Sequence, residues 1–314
     1  MARYLVTGGA GFIGSNLVRF LLGKAHQVVV LDNFATGKRE NLAAVADRIE
    51  LIEGDIRDRE AVDAAVSGSA AVFHQAALGS VPRSVEDPVT THDVNVNGTV
   101  TVLESARAAG VRRVVFAASS SAYGNQEASP KHEGMPPRPI SPYAAGKVAC
   151  EAYMQGYAAA YGMETVSLRY FNVFGPRQDP AGAYAAVIPA FVSRLLHGQR
   201  PVVFGDGEQS RDFCYIDNVC EANWLAATAD AGVCDGQPMN VACNHRTSLN
   251  QILRQLAALM GTEVEADYQD ERAGDVKHSL ADVSLAGERI GYVPKVFFEE
   301  GLAMAIDWYR ENLT

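Results

Sequence analysis

From residue 3 to about residue 170, short runs of β-branched and aliphatic residues alternate with longer stretches of helical period. Residues 4–6, 27–31, 49–53, 70–73, 114–117 and 165–168 read as strands, bounded by turn-forming residues. Between the first two, Ile13, Leu17, Phe20 and Leu21 fall on one helical stripe, and residues 94–108 carry another. Strict alternation of strand and helix predicts an α/β fold with a doubly wound parallel sheet of the Rossmann type. Parallel neighbours need a helix-length crossover, and right-handed crossovers gather the loops that follow the strands at one edge. Ligands are expected there. After Gly175-Pro176 the pattern loosens: residues 189–196 read as a helix, 201–204 as a strand, and Pro and Gly fall irregularly. The reading is a first domain over 1–176 and a smaller α/β lobe over 177–314. Segments near 212–245, among them 213–215 and 239–241, are expected to return to the sheet.

Composition narrows the function. Of 314 residues, 48% are hydrophobic and 20% charged, which is ordinary for a folded chain. The 27 Lys and Arg against 37 Asp and Glu leave a formal charge of −10, which argues against nucleic-acid and anionic-membrane partners. The longest aliphatic run, Val28-Val29-Val30-Leu31, falls far short of the roughly 20 apolar residues a membrane helix needs. Glycines directly after the first strand interrupt any signal-peptide core, so a cytoplasmic protein is expected. Five cysteines without a C-x-x-C pair, and seven histidines without H-E-x-x-H spacing, predict reduced thiols and no metal.

Thr7-Gly8-Gly9-Ala10-Gly11-Phe12-Ile13-Gly14 follows the first strand and opens the first helix. It satisfies G-x-x-G-x-x-G through Gly8, Gly11 and Gly14, and G-x-G-x-x-G through Gly9, Gly11 and Gly14. Such a turn lets the backbone approach a pyrophosphate, which the free N–H groups of the helix start then hold. Asp32 ends the second strand 18 residues beyond Gly14, where a carboxylate accepts from ribose hydroxyls and repels a 2′-phosphate; NAD is therefore expected over NADP. Asp55, closing the third strand, could reach the adenine, although a solvated carboxylate fits the spacing nearly as well. Gln75, Ala76 and Ala77 would let the cofactor lie against the backbone.

Ser119-Ser120-Ser121 ends the fifth strand, and Tyr143-Ala-Ala-Gly-Lys147 opens a helix after Ser141-Pro142. Four residues apart, the tyrosine and lysine share one helix face. A phenol titrates near 10, so use as a base near pH 7 requires about 4 kcal/mol of preference for the phenolate. One cation about 5 Å away supplies roughly 3 kcal/mol at an effective dielectric near 20, and a nicotinamide charge could add the rest. Alone, such a pair is common on helix surfaces. Behind a nucleotide fingerprint, with serines on the neighbouring strand end, the catalytic reading is favoured.

With these residues the chain resembles the extended short-chain dehydrogenase/reductase family. The resemblance extends through Leu168-Arg-Tyr-Phe-Asn-Val-Phe-Gly175 to Arg272-Ala-Gly-Asp275. Within the family it looks most like bacterial UDP-N-acetylglucosamine 4-epimerases. The carriers are His74-Gln-Ala-Ala-Leu-Gly-Ser-Val-Pro-Arg-Ser84, Gly182-Ala-Tyr-Ala-Ala-Val-Ile-Pro189 and Gly205-Asp-Gly-Glu-Gln-Ser-Arg-Asp-Phe213.

The resemblance implies Tyr143 as base, Lys147 as its partner and nicotinamide-ribose ligand, and a serine bonded to the sugar 4-oxygen. Three serines followed at once by Ala122-Tyr123-Gly124 leave the register open, with Ser120 first and Ser121 next. It also implies cofactor contacts from Phe12, Ile13, Asn33, Ile56, Asn95 and Phe171. Substrate contacts would come from Ser80, Arg83, Asn172, Ala186, Val187 and Ser279, with Arg211 and Arg272 on the diphosphate and Asp275 on ribose. Dehydratases and decarboxylases of the family carry acids just after the equivalent serine, where this chain has Ser121 and Ala122.

The implied activity is NAD-dependent 4-epimerisation of UDP-hexoses through a transient 4-keto sugar, by a homodimer. Because Ser279 stands where a bulkier tyrosine marks glucose-restricted relatives, UDP-N-acetylglucosamine and UDP-N-acetylgalactosamine are the expected substrates. UDP-glucose/UDP-galactose and UDP-glucuronate epimerisation are the enzyme alternatives, and an NAD-bound redox-sensing regulator is the non-enzyme one.

Overall fold

The computed structural model describes residues 1–179, 187–270 and 278–313. Its centre is a seven-stranded parallel sheet: β1 (Arg3–Thr7), β2 (Gln27–Asp32), β3 (Ile49–Glu53), β4 (Ala71–His74), β5 (Arg113–Ser119), β6 (Glu164–Tyr170) and β7 (Asp235–Val241). The order across the sheet is β7-β6-β5-β4-β1-β2-β3, reversing direction at β1 and β4. All six strands read from the hydrophobic pattern of the first 170 residues are present.

These strands are apolar at consecutive positions because both faces are covered. Tyr4, Val6, Val28 and Val30 face α1 (Phe12–Gly23), with Leu17 and Leu21 buried against them. Leu5, Val29, Val72 and Val114 face α2 (Arg59–Val66), α3 (Gly98–Ala108) and α4 (Pro142–Tyr161), packed on Val62, Leu103 and Met154. The predicted helix over 94–108 is longer and irregular: residues 88–92 form one helical piece, Asp93–Asn97 a π-turn, and α3 follows. The boundaries of α4 follow its ends, where the Ser141 Oγ accepts from the Ala144 N–H at 3.2 Å, Pro142 takes the first turn and Gly162 closes at φ 65°.

The second lobe is interleaved with the sheet. After β6 the chain makes the helix Val187–Leu196 and the short strand Val202–Phe204, paired with Asp267–Gln269. It then returns through α5 (Ile216–Thr228), on the α1 face, to β7. Residues 239–241 thus rejoin the sheet as expected, but 213–215 do not. Cys214–Tyr215 pairs with Val173–Phe174 as a separate ladder, because β7 already occupies the β6 edge and Asn172, at φ 30°, turns the chain away after Tyr170. Ser210–Asp212 pairs antiparallel with Arg246–Ser248, and single bridges join Ser210 to His278 and Lys131 to Ala281. These bridges bring second-lobe segments to the loop edge of the sheet. Among the described residues no helix is long and apolar enough to cross a membrane.

Candidate active site

Two adjoining clefts open where the strands end. The first, about 240 Å³, is walled by Gly8, Gly11, Asp32, Asn33, Asp55, Ile56 and the 75–78 segment, from the ends of β1 to β4. Gly8 sits at φ 68°, and a Cβ there would meet the Ala76 backbone at 2.7 Å; a Cβ on Gly14 would lie 2.1 Å from the Gly8 carbonyl oxygen. The glycines at 8 and 14 are therefore steric requirements of this turn. The first turn of α1 has no side-chain cap and no acid, leaving its N–H groups to an anion.

Asp32 is buried, and its two oxygens accept from the N–H groups of Ala10 and Phe34, each at 2.8 Å. Burial raises its pKa, and the two backbone donors oppose that shift. Each oxygen retains a lone pair for a ribose hydroxyl, while the charge disfavours a phosphate. Asp55 accepts from Asn33 and from Arg57, whose guanidinium holds its carboxyl down to about 2. The donor set, the bare glycine turn and the acidic strand end fit a dinucleotide with free ribose hydroxyls.

Sequence reasoning did not anticipate how the 76–78 wall is held. The Ala76 N–H donates to Thr7 Oγ1 (3.3 Å), and Thr7 Oγ1 lies 2.7 Å from His74 Nδ1. His74 Nε2 is 2.9 Å from Thr99 Oγ1, which donates to the Asn95 carbonyl at 2.6 Å. With the Thr99 proton committed, His74 must carry its own on Nε2 and accept from Thr7 on Nδ1. Burial, reinforced by the Lys147 charge, pushes the His74 pKa down to about 3, so the ring is neutral. Asn95 spends its amide on the N–H and carbonyl of Leu78, at 2.7 and 3.1 Å, and so shapes the cleft wall from beneath. Gln75 bonds to Tyr170 and Asn223 in a closed triangle.

The second cleft, about 560 Å³, runs over the ends of β5 and β6. Ile13, Ser119, Ser120, Ser121, Tyr143, Phe171, Asn172, Arg211 and Ser279 all line it, although they come from six separate stretches of chain. Lys147, one turn after Tyr143, is buried; its Nζ donates to the Ala117 carbonyl at 2.7 Å and lies 5.9 Å from the Tyr143 ring centre. Ser119, placed behind Ser120 and Ser121 in the sequence reading of the triplet, ends β5 and accepts from both the N–H and the hydroxyl of Ser121, at 3.2 and 2.9 Å. The Ser120 hydroxyl has no hydrogen-bond partner among the described residues. The Asn172 side chain donates to the Asp212 carbonyl, and the Ser279 N–H donates to the Ser210 carbonyl, which places Ser279 in the cleft.

Several candidates lie elsewhere. Ser80 caps the short helix Val81–Glu86, and Arg83 is exposed on it. The Phe12 carbonyl bonds to Ser15 and Asn16, and Val187 begins its helix. Ala186, Arg272 and Asp275 lie outside the described residues.

A doubly wound sheet with a glycine turn, an acidic strand end and a serine, tyrosine and lysine gathered at the loop edge defines a dinucleotide-dependent enzyme class. The chain belongs to the NAD dependent epimerase/dehydratase family, whose model matches residues 4–242, and NAD is its cofactor. It is 42% identical to a UDP-glucose 4-epimerase of Mycolicibacterium smegmatis over 99% of both chains. A UDP-N-acetylglucosamine 4-epimerase from Methanobrevibacter ruminantium, solved with UDP-N-acetylmuramic acid, superposes with a TM-score of 0.93 at 38% identity, covering 99% of this chain and 98% of that one. A UDP-glucose 4-epimerase from Thermus thermophilus, solved with NAD, gives a TM-score of 0.87 at 39% identity over 99% of both.

Proposed function

We propose that this chain is a UDP-sugar 4-epimerase that prefers the N-acetylated pair, UDP-N-acetylglucosamine and UDP-N-acetylgalactosamine. The observation that carries epimerisation over dehydration is the acid-free second cleft. Tyr143 and the serines stand there with no Asp or Glu among the described lining residues, so none of these residues offers a carboxyl to protonate a leaving hydroxyl. Tyr143 takes the proton of the sugar 4-hydroxyl and returns it to the 4-oxygen once the 4-keto ring has turned its other face toward the cofactor. Lys147 holds positive charge one helical turn from the phenol and would bind the cofactor ribose. Ser119, already accepting twice from Ser121, has its proton free to donate toward the 4-oxygen, with Ser120 and Ser121 beside it. When bound, the nicotinamide supplies reversible hydride acceptance from the sugar C4.

Arg211 would grip the diphosphate while the 4-keto sugar turns, so remote binding holds what the ring contacts release. Ser279 supports the N-acetyl preference: its small side chain lines the cleft and leaves room that an aromatic ring would fill. The test is a panel of UDP-sugars with products resolved by chromatography. Conversion of the N-acetylated pair at rates at least comparable with UDP-glucose is expected, and conversion of simple hexoses alone would shift the assignment to them.

We further propose a cytoplasmic homodimer. The hollow of Pro88, Val89, His92, Pro142, Ala145, Gly146 and Ala149, on the side of α4, with Val85 and Val89 exposed nearby, would be the contact. Sedimentation of the protein and of Val89→Glu tests it, the variant being expected to run as a monomer.

A further inference from the structure

Lys131 belongs to neither of the sequence motifs that mark the site, yet it lines the second cleft together with Tyr143, Arg211 and Ser279. It is 4% exposed. Its ammonium donates to the backbone carbonyl of Gln126, and no carboxylate of the described residues forms an ion pair with it. Its backbone N–H and carbonyl pair with the Leu280 carbonyl and the Asp282 N–H, both at 2.8 Å, so Lys131 is locked beside the segment that carries Ser279.

A cation removed from water without an acidic partner is costly, and such groups are normally neutralised by a counter-charge or shift their protonation. Burial does lower the Lys131 pKa. One ammonium hydrogen is used on Gln126, and the other two have no acceptor among the described residues. The described lining of the cleft contains Lys131 and no Asp or Glu.

We infer that Lys131 is a specificity residue whose ammonium binds an acceptor oxygen on a substituent of the sugar ring, the acyl oxygen of an N-acetyl group or a carboxylate oxygen. The inference rests on the UDP-sugar reading and deepens it. A plain hexose offers only hydroxyls there, which are weaker acceptors for a buried ammonium than a carbonyl or carboxylate.

The test compares wild type, Lys131→Met and Lys131→Gln on UDP-N-acetylglucosamine, UDP-glucuronate and UDP-glucose. In Lys131→Met, the kcat/KM of at least one of the first two, taken as a ratio to that of UDP-glucose, is expected to fall roughly ten- to a hundredfold, mostly through KM. Lys131→Gln keeps a neutral donor: recovery of the ratio for the acetylated sugar identifies the acyl oxygen, and no recovery for the glucuronate identifies the carboxylate. Ratios within about twofold of wild type for both sugars in both variants would overturn the inference. Calorimetric binding of each UDP-sugar, referred to UDP itself, gives the same comparison without turnover. A wild type that epimerises nothing would therefore defeat the proposed reaction while leaving the role of Lys131 to be decided by binding. Should Lys131→Met not fold, Lys131→Ala, which likewise removes the donor, takes its place in the comparison.

Discussion

The two clefts are built in different ways. The cofactor cleft draws on the ends of four adjacent strands and is tied internally before any ligand arrives: Asp32 to Ala10 and Phe34, Asp55 to Arg57, Ala76 through Thr7 and His74 to Thr99. The sugar cleft is gathered from β5, α4, the end of β6, the Ser210–Asp212 strand and the 278–281 segment, joined by single bridges. A site made of neighbouring strand ends is held by the sheet itself. A site made across lobes depends on a few pairings, and it leaves serines and a lysine with hydrogen-bonding capacity to spare. Such a division suits a tightly held cofactor and a sugar that must turn.

The largest expected effect tests the chemistry of the second cleft. Tyr143→Phe keeps the ring and removes the proton acceptor, so kcat is expected to fall by about 10²-fold or more with UDP affinity retained. Near-normal turnover would defeat the assignment. On the other side of the comparison, Gly14→Ala puts a Cβ 2.1 Å from the Gly8 oxygen and is expected to weaken NAD binding by roughly tenfold or more, as read by fluorescence titration, while UDP binding is spared. Parallel loss of both ligands would show that the clefts are not separable.

Ser279→Tyr is expected to suppress turnover of the N-acetylated pair by about tenfold relative to UDP-glucose. Equal losses on both would remove Ser279 as the gate. The smallest effect concerns Asp212, fully buried at the lobe junction, accepting from the N–H groups of Cys243 and Ala281. Burial raises its carboxyl to about 6, above its unfolded value, so the folded protein holds that proton longer than the unfolded chain. Its contribution to stability should decline gently as pH rises from about 4 to about 6 and be level above. Denaturant midpoints over that window check the slope, which should vanish in Asp212→Asn.

The amino-acid order determined the sheet and most of the cofactor cleft. Apolar runs, helical stripes, the glycine turn and Asp32 act within about 30 residues of one another, and their physics is local: backbone sterics, periodicity and a helix start. The Tyr143 and Lys147 pair was legible for the same reason, since a helix fixes residues four apart on one face. Only the tertiary structure could decide the rest. Ser119 accepts from Ser121 through a turn whose serine register the chain left open. His74 is held in one tautomer by Thr7 and Thr99, 67 and 25 residues away. Lys131 meets Ser279 and Arg211 because single bridges bring 131 to 281 and 210 to 278. Such contacts are made by distant segments folded against one another, and no spacing along the chain encodes which buried charge will be left without a partner.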